Sequence, residues 1–433
     1  MYVTGSPLTP QFFAGKLQRT GSRSLVAVVG IDMDQAVFER IAKDAADAGA
    51  ERAFAAAEAA LVNEKEFHRL FDLLLLKARY ELGLPLFLQA PASSLPKDVQ
   101  EAYEPKVVDA ARRVGKEFLK TNDLTAAFPY FNMISELEPM RQALEEYRPG
   151  DDEDDLDPIV DLAIAHNVHP KRGLELVVQR FGICQAITTC EQLLAQGIRS
   201  PERDECIKIL VGSLHAELTE RLRDDVTSKE GSAPAGIMAM LKDRDWLFAD
   251  DAYHVDTSHL NAVVRMARML PKCDEVFQAI QLCEYGRRLS PRYRYAEPAP
   301  FEDVFESSAR YLKVIAGVET PKGLDYFRSR ADAAAANDVE NHSPDVYVHL
   351  LTIVGRRDEA VAYAGKKLNA AERRPAFGLG VNDLCQQAGD FDAMARYARA
   401  RGDLLGFVAG VVQGNPKANA DAARLSPETK EPV

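Results

Sequence analysis

Long hydrophobic runs are missing from this 433-residue sequence. No apolar stretch reaches the ~18–20 residues that a membrane span requires, so no membrane association is expected. The best candidate, LVAVVGI from Leu25 to Ile31, is too short for a signal-peptide core, and no small-residue cleavage site follows it closely. A cytoplasmic protein is the reading that follows. Cysteine is scarce and scattered: Cys184, Cys190, Cys206, Cys273, Cys283 and Cys385 form no CxxC pair, which excludes both a disulfide framework and a zinc signature. Tryptophan occurs once, at Trp246. Also missing are GxxxxGK[ST], a GxGxxG behind a strand, GxSxG and HExxH, so nucleotide-dependent, serine-hydrolase and zinc-peptidase chemistry lack their usual frames. No cofactor and no metal are expected. Basic charge is the minority: 53 Lys and Arg against 66 Asp and Glu leave a net charge of −13, a field that repels polyanions and argues against nucleic acid as a partner.

What the sequence has in quantity is helix-forming residues in amphipathic register. Residues 1–22 carry Gly, Pro, Ser and Thr without period and read as a flexible leader. An N-terminal helical array follows over 23–148. Within it, Asp34 to Leu84 contains an Ala-rich helix, a break at Asn63 and a second helix stopped by Gly83 and Pro85, with His68 where a small residue is expected. PGDDEDDLDP, spanning 149–158, reads as a solvated acidic linker. It is no EF-hand loop, because Leu156 and Leu162 stand where Gly and Glu are required. A helical middle segment of unassigned packing takes 159–259, a C-terminal array takes 260–414, and 415–433 has too little apolar content to fold alone.

The sharpest pattern lies between Val108 and Arg141, where Gly115, Phe118, Ala127, Phe131 and Pro139 combine small residues for a helix crossing, bulky neighbours and an exit proline. From Leu260 the pattern returns: Val263, Met266, Ala267 and Leu270 on a first helix, then Ala279, Gly286 and Pro291 on a second. The interval of five residues from Asn122 to Ala127 recurs from Asp274 to Ala279 and from Gly355 to Ala360. Gly355 and Gly389 lie 34 residues apart, a period of helix-turn-helix repeats. Four windows, 108–141, 260–293, 341–374 and 375–408, thus resemble the tetratricopeptide repeat, with GDLLGFVAGVV as a terminal capping helix. The resemblance implies an all-α fold, an α-solenoid in two arrays, whose concave groove holds peptide segments of other proteins.

Family members that hold acidic chain ends line the groove with cations on first helices. Arg112, Lys116 and Lys120 have the one-face spacing of four, and Arg265, Arg268 and Lys272 nearly so. These six are the candidate partner-binding residues, and an acidic peptide is the candidate partner. The alternative is an ordinary solvated face. RRLSPRYRY, from Arg287 to Tyr295, interleaves arginine and tyrosine as base-stacking surfaces do, but a single nine-residue patch in an acidic chain reads more simply as a loop between repeats. His166 and His169 lie three apart outside any metal pattern. An all-α enzyme would have to build its site from His254, Asp256 and His259, although Asp256, Thr257 and Ser258 read better as caps of the helix that follows. A non-enzymatic scaffold is therefore the leading expectation.

Overall fold

The computed structural model describes residues 35–87, 95–150, 156–335, 340–367 and 378–415. The leader 1–22, the LVAVVGI run, most of the acidic linker and the tail beyond Asn415 lie outside them. No strand occurs among the described residues, so the chain is all-α there, as the composition predicts. Two compact units divide it, Met1–Leu176 and Val177–Val433. That division falls within the helix Pro170–Ala195, whereas the acidic run at 149–158 is where the sequence suggests a boundary. Leu156, at the end of the run, is buried in the core of the first unit beside Tyr147 and Ile159.

In the first unit α1 (Gln35–Ala48), α2 (Ala50–Asn63), α3 (Phe67–Glu81), α4 (Lys97–Lys120), α5 (Leu124–Met133) and α6 (Glu138–Glu146) each pack on the next, and α7 (Asp157–Ile164) returns against α5. The α4–α5 turn shows why the chain reverses there. Asn122 takes a left-handed φ of 60°, a conformation that Asn tolerates, and the Asp123 carboxylate accepts the Ala126 N–H at 3.0 Å to cap α5. Gly115 then faces the ring of Phe131 so closely that a Cβ would lie 2.7 Å from it. Ala127 and Phe131 are fully buried, and with Leu70, Val114, Leu124 and Met140 they form the core of the unit. His68 Nδ1 sits 2.7 Å from the Tyr130 hydroxyl, and its ring packs on Phe118. The bulkier residue at that crossing is thus fixed by a hydrogen bond.

In the second unit the kink of α8 (Pro170–Ala195) at Gly182, with φ 78° and ψ 178°, precedes α9 (Glu202–Glu230). Cys206, Leu210, Leu214, Leu218, Leu222 and Val226 recur every fourth residue of α9, and all are buried. That stripe is a spine against α11 (Thr257–Ala267) and α12 (Asp274–Gly286), each leucine contributing about 1.5–3 kcal/mol of apolar burial. The short α10 (Ile237–Leu241) leans on the end of α9 and on α12. Beyond them α13 (Val304–Ala316), α14 (Thr320–Ala333), α15 (Ser343–Ile353), α16 (Arg357–Lys367), α17 (Val381–Ala388), α18 (Phe391–Arg401) and α19 (Leu404–Gln413) pack each on the next. α11 also touches α13, and α13 touches α15. Close crossings again use the smallest residue: Gly286 faces Phe305, Gly323 faces Val314 and Gly365 faces Tyr397. Ala279, Ala360 and Met394 are buried in their helices.

Candidate interaction surface

Arg112, on α4, is already committed. Its Nε and Nη2 donate to the two Glu136 oxygens at 2.8 and 2.6 Å, and Nη1 reaches Asp109 at 2.6 Å. Glu136 and then Asp109 raise the guanidinium above its ordinary pKa, and Arg112 in turn holds the Glu136 carboxyl below the usual carboxylate range. The recess beside it is walled by Glu101, Glu104, Pro105, Val108 and Asp109, a setting that repels a second acid. Lys116 and Lys120 are exposed, and Lys120 pairs with Glu117 at 2.8 Å.

In the second window Arg265 is exposed and pairs with Glu191, and Lys272 is exposed. Arg268 corrects the sequence reading: its side chain is 4% exposed, bonded to Glu297 at 2.7 Å, with the guanidinium carbon 4.0 Å from the centre of the Phe301 ring. It cannot line an open groove. The reason is the face on which it falls: Arg268, the αR C-cap of α11, stands four residues past the buried Val264 and eight past the buried Leu260, so helical spacing turns it toward the core rather than beside the exposed Arg265.

Two of the candidate enzyme residues are engaged with other groups. The Asp256 carboxylate caps α11, accepting the backbone N–H of Ser258 at 2.8 Å and of His259 at 3.2 Å, and those bonds, the Ser258 hydroxyl's first, hold its pKa down. His254 turns away to Asp225 at 3.2 Å and to the Tyr285 hydroxyl at 3.1 Å. Burial lowers the imidazole's pKa more than Asp225 raises it. The arginines of RRLSPRYRY are each occupied within the chain: Arg287 by Glu284 and Glu306, Arg288 by the Leu241 carbonyl and Asp245, Arg292 by Asp251, and Arg294 by the Leu289 carbonyl.

A different surface gathers cations. Met238, Leu241 and Lys242 of the α10 region meet Glu284, Arg287 and Arg288 from the end of α12 around an open recess of about 570 Å³. Arg287 also borders a smaller recess of about 100 Å³, shared with Glu306, Ala309, Arg310, Lys313, Glu319, Lys322 and Gly323 on α13 and α14. A ladder of alternating charge links the two: Lys313 to Glu284 at 2.9 Å, Glu284 to Arg287 at 2.7 Å, Arg287 to Glu306 at 2.6 Å and Glu306 to Arg310 at 2.6 Å. Burial alone would raise the Glu284 carboxyl, yet Lys313 and Arg287 bring it below its ordinary value.

Three carboxylates line the two recesses with six cations, and Asp245, paired to Arg288, supplies a fourth, so positive charge is in modest surplus within a chain of net −13. Met238, 48% exposed, adds an apolar contact at the mouth of the larger recess. Comparison with protein-family models, with curated proteins and with solved structures finds no match to this chain. The sequence singled out Arg287 and Arg288 but assigned them to a loop. Their neighbours Lys242, Arg310 and Lys322 lie on three other segments, so no linear pattern could show the cluster.

Proposed function

We propose that this chain is a non-enzymatic interaction scaffold, a stack of degenerate tetratricopeptide-like hairpins that holds an acidic, partly apolar segment of a partner protein. The carrying observation is the surplus of cations around the Met238 recess in an otherwise acidic chain. The Lys322–Glu319 pair is exposed, and a pair of that kind is worth ~0.2–1 kcal/mol, so an incoming carboxylate exchanges with it at little cost. Charge complementarity then supplies register and encounter rate, and Met238 supplies apolar contact.

The solenoid reading is supported by helices that pack on their sequence neighbours, by contacts of α11 with α13 and of α13 with α15, and by tiny residues at the crossings. A cytoplasmic setting fits the six free thiols. Burial pushes the Cys190 thiol up to about 12, as suits an inert core residue. Selection of a displayed peptide library on the full chain tests the proposal. Enrichment of sequences mixing Glu or Asp with Leu or Phe is expected, and it should vanish on the Lys242→Glu/Lys322→Glu variant. Enrichment that is absent, or identical on the variant, would overturn it.

A further inference from the structure

The last of the described helices, α19, is built inside out. Its small residues Gly406 and Gly410 face the protein, where a Cβ on Gly410 would lie 2.6 Å from the Ala395 backbone nitrogen and 2.9 Å from the Phe391 carbonyl oxygen. Its large apolar residues Leu404, Leu405, Val408, Val411 and Val412 face outward, and Leu405 is 83% exposed. Terminal elements of stacked helical arrays normally turn a polar face to water. Here nothing among the described residues covers the stripe, and residues 416–433 hold just two large apolar side chains, Leu425 and Val433.

The arrangement of the stripe accepts a second copy of itself. Counted from Val408, the exposed apolar residues stand at −4, −3, 0, +3 and +4, and the inward glycines stand at −2 and +2. A two-fold axis through Val408 therefore superimposes the pattern on itself when the second helix runs antiparallel. Such self-complementarity is what an isologous contact requires, residue i meeting j while j meets i. Leu404–Gln413 also carries no charged residue, so two acidic chains bring no like charges together at the axis.

We infer that α19 is a homodimerisation helix, pairing antiparallel with α19 of a second copy about Val408. Complete burial of the two stripes would remove on the order of 1,000 Å² at most, the low end of specific interfaces, so the dimer is weak and is sought at micromolar concentrations and above.

Sedimentation velocity of the full chain across that concentration range should show mass rising from 47.8 kDa toward twice that value, with little dependence on salt. Leu405→Asp and Val408→Asp alter exposed side chains; each should keep the helical circular dichroism spectrum and weaken association at least tenfold. Cysteine pairs then fix the direction, in a Cys184→Ser background oxidised with diamide. Val408→Cys should cross-link to itself. Leu404→Cys should not, because helical rise places two such positions about 12 Å apart, beyond disulfide reach, but it should cross-link when mixed with Val412→Cys. A chain that stays monomeric, a dimer indifferent to Leu405→Asp, or self-linking by Leu404→Cys would each overturn the inference.

Discussion

Gly286→Ala should destabilise the protein, against the ordinary rule for helices. In a helix interior alanine normally gains about 0.5–1 kcal/mol over glycine through lower backbone entropy in the unfolded chain. At Gly286 the added Cβ would lie 2.5, 2.6 and 2.7 Å from three ring carbons of Phe305, and Phe305 is fully buried, so the ring has nowhere to withdraw. Forcing a methyl into such a contact costs about 1–3 kcal/mol. With the propensity gain subtracted, a net loss of up to about 2.5 kcal/mol remains. Gly212 provides the matched control. It also lies within a helix, α9, but its nearest neighbour, Gln278 Oε1, is 3.9 Å from the added Cβ, so Gly212→Ala should stabilise by about 0.5–1 kcal/mol. Thermal melts followed at 222 nm should separate the pair by sign, Gly286→Ala falling by up to about 5 °C and Gly212→Ala rising slightly. A melt unchanged or raised in Gly286→Ala would show that α12 and α13 do not cross as closely as the packing argument requires.

Other outcomes follow from the same structure. Arg268→Leu should cost about 3–5 kcal/mol in urea unfolding because it strands the Glu297 carboxylate, while Arg268→Met/Glu297→Leu should recover most of that loss; equal losses in both variants would refute the buried-pair account. Burial depresses the His349 pKa, so as pH falls below its unfolded value near 6.5 the unfolded chain takes up a proton that the folded chain resists, and stability present above that pH is lost. His349→Gln should make the decline in stability between pH 7 and 5 shallower, and an unchanged slope would show that His349 does not contribute to it. Ala127→Leu should cost about 1–3 kcal/mol by overpacking the α4–α5 crossing, as read by urea midpoint; a neutral midpoint would place Ala127 outside that crossing.

The helices and their crossings were legible in the sequence because a 3.6-residue period and a short side chain each have a local physical cause. Gly115 and Ala127 sit at the α4–α5 crossing, and Asp123 and Asp256 cap helices as small acidic residues do. The spine of α9 escaped notice because a stripe of period four reads as an amphipathic helix without naming its partners, which lie some 50 residues later in α11 and α12. Arg268 shares the core face of α11 with Val264, four residues earlier, so its spacing of three from Arg265 does not bring the two cations onto one open face, and its side chain packs on Phe301. The cation-rich recess was hidden for a different reason: Lys242, Arg287 and Lys322 meet through tertiary packing, and no spacing rule connects them. GDLLGFVAGVV was readable as a closing helix, but its outward apolar face was not, since a period alone does not say which side is covered.

Fluorescence anisotropy of a labelled twelve-residue peptide alternating Glu with Leu tests the central claim most directly. The scaffold account predicts saturable binding to the full chain that weakens as salt rises and falls by about tenfold, 1.4 kcal/mol, in Lys242→Glu/Lys322→Glu. Binding that is absent, or equally tight in the variant, would contradict it.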